Sequence, residues 1–119
     1  MIVVTHRPQA GIPASTLRAW QEVDALFGSR LKAIGAWGDA AHALRPSCHN
    51  TARALDLMTS DPKTQDDIVI WALASAVRLD IRRVIVRKRV WARLPRGKWS
   101  NYHRTPHNDH VHLSIACDL

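Results

Sequence analysis

The sequence predicts a single small α+β domain, residues 1–119, with a central antiparallel sheet flanked by two to three helices. Three observations carry this expectation. Two stretches repeat apolar residues at helical spacing, and the short β-branched runs around them alternate or cluster as strands do. At 119 residues with 46% hydrophobic content, the chain can bury one core and little more. The chain closes on a segment, residues 107–115, whose polar and apolar side chains alternate.

The elements follow in order. Residues 1–5 form a β-branched run that reads as an edge strand or as the end of a longer native chain. Prolines at 8 and 13 then punctuate the chain. Ala14, Ser15 and Thr16 offer an N-cap to a helix whose apolar stripe is Leu17, Trp20, Val23, Leu26 and Phe27, stopped by Gly28. Residues 31–37 read as a strand interrupted by Gly35. Residues 39–46, with His42 and Arg45, read as a loop, where His42 is expected to be a surface or core histidine and reach to a site is the alternative. Residues 53–58 read as a central strand with Ala54 and Asp56 on one face and Leu55 and Leu57 on the other. Ser60, Asp61 and Pro62 start a second helix, with Asp66 and Asp67 near its positive end and Ile68, Trp71, Leu73, Ala74 and Val77 as its apolar face to Leu79. Val84 to Val86 and then Val90 and Trp91 suggest a hairpin, and residues 96–103 read as a polar, aromatic-bearing loop that delivers the chain to the histidine strand.

The formal charge of +7 and pI near 10.5 imply attraction to polyanions: nucleic acid, an anionic membrane surface or an anionic cell wall. No window approaches the roughly 18 consecutive apolar residues of a membrane span. The first eight residues lack a secretory-signal pattern, so export by the general secretory route is not expected to be encoded here. Two cysteines, Cys48 and Cys117, make no framework. They are expected as two small buried thiols, a disulfide behind the site being the alternative.

Four of the seven histidines fall at or after His103. In an extended segment His110 and His112 share a face, and they call for partners upstream. His49 and Asp56 are the best candidates. A hydrolytic zinc site has three ligands from His and Asp or Glu and keeps a fourth position for water, which His49, Asp56 and His112 can supply. His110, beside His112, can then act as general base and acid, with His107 or Asp109 to orient it or to stabilise charge.

Ser47-x-His49-x-x-Ala52-x-Ala54-x-Asp56, followed by His110-x-His112, resembles the Ser-x-His-x-x-Gly-x-Ala-x-Asp and His-x-His signatures of the zinc peptidases that include D-alanyl-D-alanine carboxypeptidases, phage endolysin peptidases and hedgehog-like domains. The wider wording of residues 50–56 and 105–114 looks most like the peptidoglycan-cleaving members of phages and actinobacteria, and the similarity spans about residues 37–115. The resemblance implies zinc on His49, Asp56 and His112 at a small antiparallel sheet. It also implies His110 assisting a water, His107 nearby, and Ser47 and Arg53 supporting the site or contacting substrate. Two departures stand out. Ala52 replaces the motif glycine and would be strained at positive φ. Asp109 holds the spacing at which many carboxypeptidases carry an acidic base, so it is the alternative base to His110.

The implied partners are a peptidoglycan peptide and the anionic wall surface, with Trp91, Trp99 and Tyr102 as candidates to line a groove beside the metal, although for Trp91 a place in the core is the expectation and the groove the alternative. The implied place of action is the bacterial cell wall, reached by a phage lysis enzyme released by other means or by a domain of a larger protein. Two readings from other classes compete. One is a basic nucleic-acid-binding domain or metal nuclease, disfavoured because no recognisable nucleic-acid module is present. The other is a non-catalytic wall-binding relative.

Overall fold

The computed structural model describes residues 4–38, 45–104 and 106–119. Among these residues one sheet and two α-helices form the α+β domain expected. The elements are helix α1 (Ala14–Phe27), strand β1 (Ala33–Gly35), a 3-10 turn (Cys48–Thr51), strand β2 (Ala54–Met58), helix α2 (Pro62–Leu79), and strands β3 (Ile81–Val86), β4 (Arg89–Ala92), β5 (Lys98–Asn101) and β6 (His110–Ile115). The strands run antiparallel in the order β1-β2-β6-β3-β4-β5. The C-terminal strand therefore lies in the interior of the sheet, between β2 and β3.

Register divides the sheet into two faces. Leu55 pairs with Leu113 and Leu57 with Val111, while Val84 pairs with Leu113 and with Trp91. These side chains are buried in one cluster with Ala19, Trp20 and Val23 of α1 and Ile68, Ala72 and Ala76 of α2. The opposite face carries Asp56, His110 and His112. A one-residue slip would exchange the two sets, so burial of the leucines and valines fixes where the histidines point.

Helix α1 begins directly after Pro13, which holds the cap position without a side-chain hydrogen bond, so the expected serine or threonine cap is not used. Its buried face includes Asp24, while Leu26 is exposed. Asp24 accepts the backbone N–H groups of Thr5 and His6 at 3.0 Å each. That contact holds Thr5 and His6, and Val4 and Thr5 lie in no strand. Residues 1–3 lie outside the described residues. Gly28 lies against this contact: a Cβ there would sit 2.3 Å from Asp24 Oδ1 and 2.9 Å from Thr5 Cβ, which explains the glycine by close approach.

Helix α2 starts as expected, with Asp61 accepting from the Thr64 backbone N–H and Pro62 in the first turn. Its buried face is Thr64, Gln65, Ile68, Ala72, Ser75, Ala76 and Leu79; Ala74 and Val77 face out. Of the expected apolar face, Ile68 is buried and Trp71 and Leu73 are partly buried against the core, so the expectation fails at Ala74 and Val77 alone. β3 and β4 do form a hairpin, turned by Arg87 and Lys88 at φ 44° and 65°. Positive φ at both positions gives the twist that suits a two-residue hairpin. Residues 98–101, expected as loop, pair with β4 as a sixth strand.

Cys48 and Cys117 form a disulfide, which corrects the expectation of two free thiols. The bond packs with Ala54, on the same side of β2 as Asp56 and two residues from it. The basic cluster is also less available than its sequence suggests. Arg82 pairs with Asp80 and Asp118, Arg93 with Asp80, and Arg87 with Asp66, while Arg83 donates to the carbonyls of Asp118 and Leu119.

Closing a loop of 69 residues, the disulfide restricts the unfolded chain. Reduction, or Cys48→Ser with Cys117→Ser, is expected to lower stability by about 4 kcal/mol in urea unfolding. Thiol titration of denatured, unreduced protein is expected to find no free thiol. The Asp80 carboxyl is held below its ordinary value by the Arg82 hydrogen bond, opposed by partial desolvation and aided by the charges of Arg82 and Arg93. A depressed folded pKa stabilises above the unfolded value and loses that contribution as pH falls through the folded one. Asp80→Asn is therefore expected to cost up to about 1 kcal/mol at neutral pH, with the gap to the parent closing below about pH 4.

Candidate metal centre

Four segments position the site. The turn Cys48–Thr51 carries His49, and Ser47 caps it by accepting the His49 backbone N–H at 3.2 Å. Ala52 ends the turn at φ 52°, ψ 37°, donating its N–H toward Cys48 and His49 carbonyls. The left-handed residue the motif calls for is therefore present, with an alanine in place of glycine. Its methyl is fully buried in the core, which offsets part of a conformational cost of roughly 1 kcal/mol. Across the sheet, β2 brings Asp56 directly opposite His112 of β6.

One ligand atom from each of His49, Asp56 and His112 lies within 4.8 Å of the others. His49 Nε2 is 3.2 Å from Asp56 Oδ2, and His112 Nδ1 is 3.2 Å from Asp56 Oδ1. The outer nitrogens are engaged elsewhere. His49 Nδ1–H donates to the Ala36 carbonyl at 2.7 Å, and His112 Nε2 is bonded to Ser114 Oγ at 2.9 Å. A carbonyl can only accept, so neutral His49 must carry its proton on Nδ1 and present a lone pair at Nε2. In that state the lone pair and the carboxylate oxygen, 3.2 Å apart, can share a cation, whereas a protonated His49 would donate to the carboxylate directly.

Burial raises the Asp56 carboxyl, but hydrogen bonds from His112 and His49 and their charges outweigh it and hold the group far below the carboxylate range. Burial lowers His112 toward the neutral form, opposed by Asp56. One carboxylate and two imidazoles, each imidazole anchored by a second partner, suit a divalent cation with an open position.

His110 stands beside this cluster. Its Nδ1–H donates to Asp109 Oδ1 at 2.7 Å, and its Nε2 lies 3.7 Å from Asp56 Oδ1. That hydrogen bond holds the Asp109 carboxyl below its ordinary value. His107, at φ 56°, stacks its ring 4.6 Å from His110 and 6.1 Å from His112, and Tyr102 meets it edge-on at 5.1 Å. The loop bearing these rings is held from two sides. The hairpin tip bonds it through Arg87 N–H to His107 O, Lys88 N–H to Pro106 O and Tyr102 N–H to Lys88 O. Buried Gln65 of α2 donates to the carbonyls of Thr59 and Asn108.

The structure thus gathers His49, Asp56, His107, Asp109, His110 and His112, with Ser47 as cap. Arg53 is exposed, and the contacts that involve it are backbone ones, to Cys48 and Ile115. His42 lies outside the described residues. Of the aromatics considered for a groove beside the candidate metal site, Tyr102 lies against His107, Trp91 is core as expected, and Trp99 is elsewhere. Trp91 and Trp99 pair across strands on the opposite, helix-packed face, where Trp91 is core and Trp99 lines a cleft with Val69, Ile70 and Arg89. Ser114 was missed, although its two-residue spacing from His112 on one strand face was readable. The Ala36 carbonyl and Gln65 left no signal in the sequence.

Changing His49, Asp56 or His112 to Ala is expected to abolish stoichiometric uptake of a divalent metal, measured by elemental analysis after dialysis. Ser114→Ala is expected to weaken affinity about tenfold, because the imidazole loses its second anchor.

Neither the curated proteins nor the solved structures contain a match to the chain. The family model described as VldE, C-terminal domain covers residues 8–113, a span that includes His49, Asp56 and His112 and stops short of Ser114 and Cys117. The chain belongs to the VldE C-terminal domain family.

Proposed function

We propose that this domain is a zinc-dependent peptidase that hydrolyses peptide bonds in the stems or cross-links of peptidoglycan. The observation that carries the reading is the carboxylate of Asp56 facing the inward nitrogens of His49 and His112, with the Asp109–His110 pair alongside. Zinc held by these three donors supplies a Lewis acid that polarises a carbonyl and lowers the pKa of water. His110 is the proton carrier: with Nδ1–H committed to Asp109, its Nε2 lone pair is turned toward the cluster, able to take a proton from the attacking water and return it to the leaving nitrogen. Asp109 fixes that tautomer and stabilises the imidazolium that forms. His107 packs against the His110 ring and is itself met edge-on by Tyr102.

The remaining features agree with work at a bacterial surface. The net charge of +7 favours anionic wall polymers, and a disulfide persists in oxidising surroundings. Among the described residues no helix is long and apolar enough to cross a membrane.

The test is zinc content together with release of new amino groups from purified peptidoglycan. About one zinc per chain and amino-group release are expected in the parent. His110→Ala is expected to keep its zinc and lose at least about a hundredfold in rate. A His110→Ala protein working at the parental rate would transfer the proton role to Asp109. Retained zinc with sedimentation on walls but no hydrolysis would replace the peptidase reading with a wall-binding one.

A further inference from the structure

The segment that holds His49 from behind has a second side. Gly35 of β1 is the register partner of Asp56, so the two share the metal-facing side of the sheet. A Cβ added at Gly35 meets no atom within 4 Å. Beside the Asp56 carboxylate there is therefore an open shelf bounded by backbone.

Trp37 follows two residues later and lies between two hydrogen bonds to His49. The Ala36 carbonyl accepts from His49 Nδ1–H at 2.7 Å, and Gly38 N–H donates to the His49 carbonyl at 3.2 Å. The Gln9 side-chain carbonyl accepts the backbone N–H groups of Ala36 and Trp37 at 2.7 and 3.3 Å. The indole is itself fixed, its Nε1–H donating to the Ala10 carbonyl at 3.0 Å. Even so, 44% of Trp37 is exposed. A large aromatic side chain held rigidly by its backbone and by its only polar atom, yet left half in water, costs solvation without contributing to the core. Such a surface suits a ligand, since little ordering remains to be lost when it is covered.

We propose that Gly35 and Trp37 form a substrate subsite beside the metal centre, with Gly35 as a shelf for an extended peptide and Trp37 as an apolar wall for its small aliphatic side chains. The proposal rests on the peptidase reading and names where that substrate lies. The glycine lets a peptide backbone approach Asp56 without meeting a side chain. Because the same segment anchors His49, a peptide held on it stays in register with the metal ligand.

The experiment uses the full chain loaded with zinc and soluble dimeric muropeptides as probe. It records kcat, KM, zinc content and thermal midpoint, and it measures muropeptide binding to the His110→Ala protein by calorimetry. Trp37→Ala is expected to raise KM and weaken binding about tenfold with kcat, zinc and thermal midpoint near parental values, and Trp37→Phe is expected to restore most of the loss. Gly35→Val fills the shelf on a strand that accepts β-branched residues, and it is expected to suppress binding while retaining zinc. Parental KM and binding in both variants would overturn the subsite and leave the peptidase reading standing. Loss of zinc in Trp37→Ala would also overturn it, by making Trp37 a support for His49. A zinc-loaded parent that neither binds nor cleaves muropeptides would overturn the peptidase reading and the subsite with it.

Discussion

The cross-strand pairing of Asp56 with His112 is the constraint on which the rest of this structure depends. It places a carboxylate and an imidazole side by side on one face of a sheet whose other face is sealed by leucine and valine. A carboxylate mostly removed from water is costly, and here the imidazoles of His112 and His49 offset that cost. The antiparallel register makes the position of this cluster, and of any cation it holds, a property of the fold rather than of a loop.

Several features act to keep that pairing usable. The 3-10 turn delivers His49 to the end of β2 and is closed by a left-handed Ala52 and locked to the C-terminal segment by the disulfide. The loop before β6 has no strand partner of its own and is fixed from outside. The hairpin tip bonds its backbone at one end, and Gln65 of α2 bonds it at the other. Both tip residues accept positive φ, a local cost balanced by the three backbone hydrogen bonds they make with the loop. His107 is in this way fixed from outside, next to His110 at the start of β6.

The basic composition has a divided use. Arg82, Arg83, Arg87 and Arg93 are largely spent on Asp80, Asp66, Asp118 and the chain end, where they tie β3 and β4 to α2 and to the C-terminus. Long-range attraction to a polyanion still follows from the net charge, but a continuous arginine surface does not.

The sequence alone determined the α+β class, the two helices, the hairpin, and the identities of the clustered groups. The alternation that puts His110 and His112 together is local, and the His49 to Asp56 spacing belongs to one short segment. Burial of Leu55 and Leu57 then required Asp56 to face the other way. What only the tertiary structure decided depends on contacts distant in the chain. Ala74 and Val77 face water while Ala72 and Ala76 are buried, and Trp99 belongs to the face away from Asp56 and His112 because β5 adds to β4 in one particular register. The disulfide, the His49 tautomer set by the Ala36 carbonyl, and the Gln65 clamp each join residues that neither periodicity nor motif relates. Side-chain periodicity is written in neighbouring residues, whereas hydrogen-bond partners and cross-links are fixed only when separate segments meet in space.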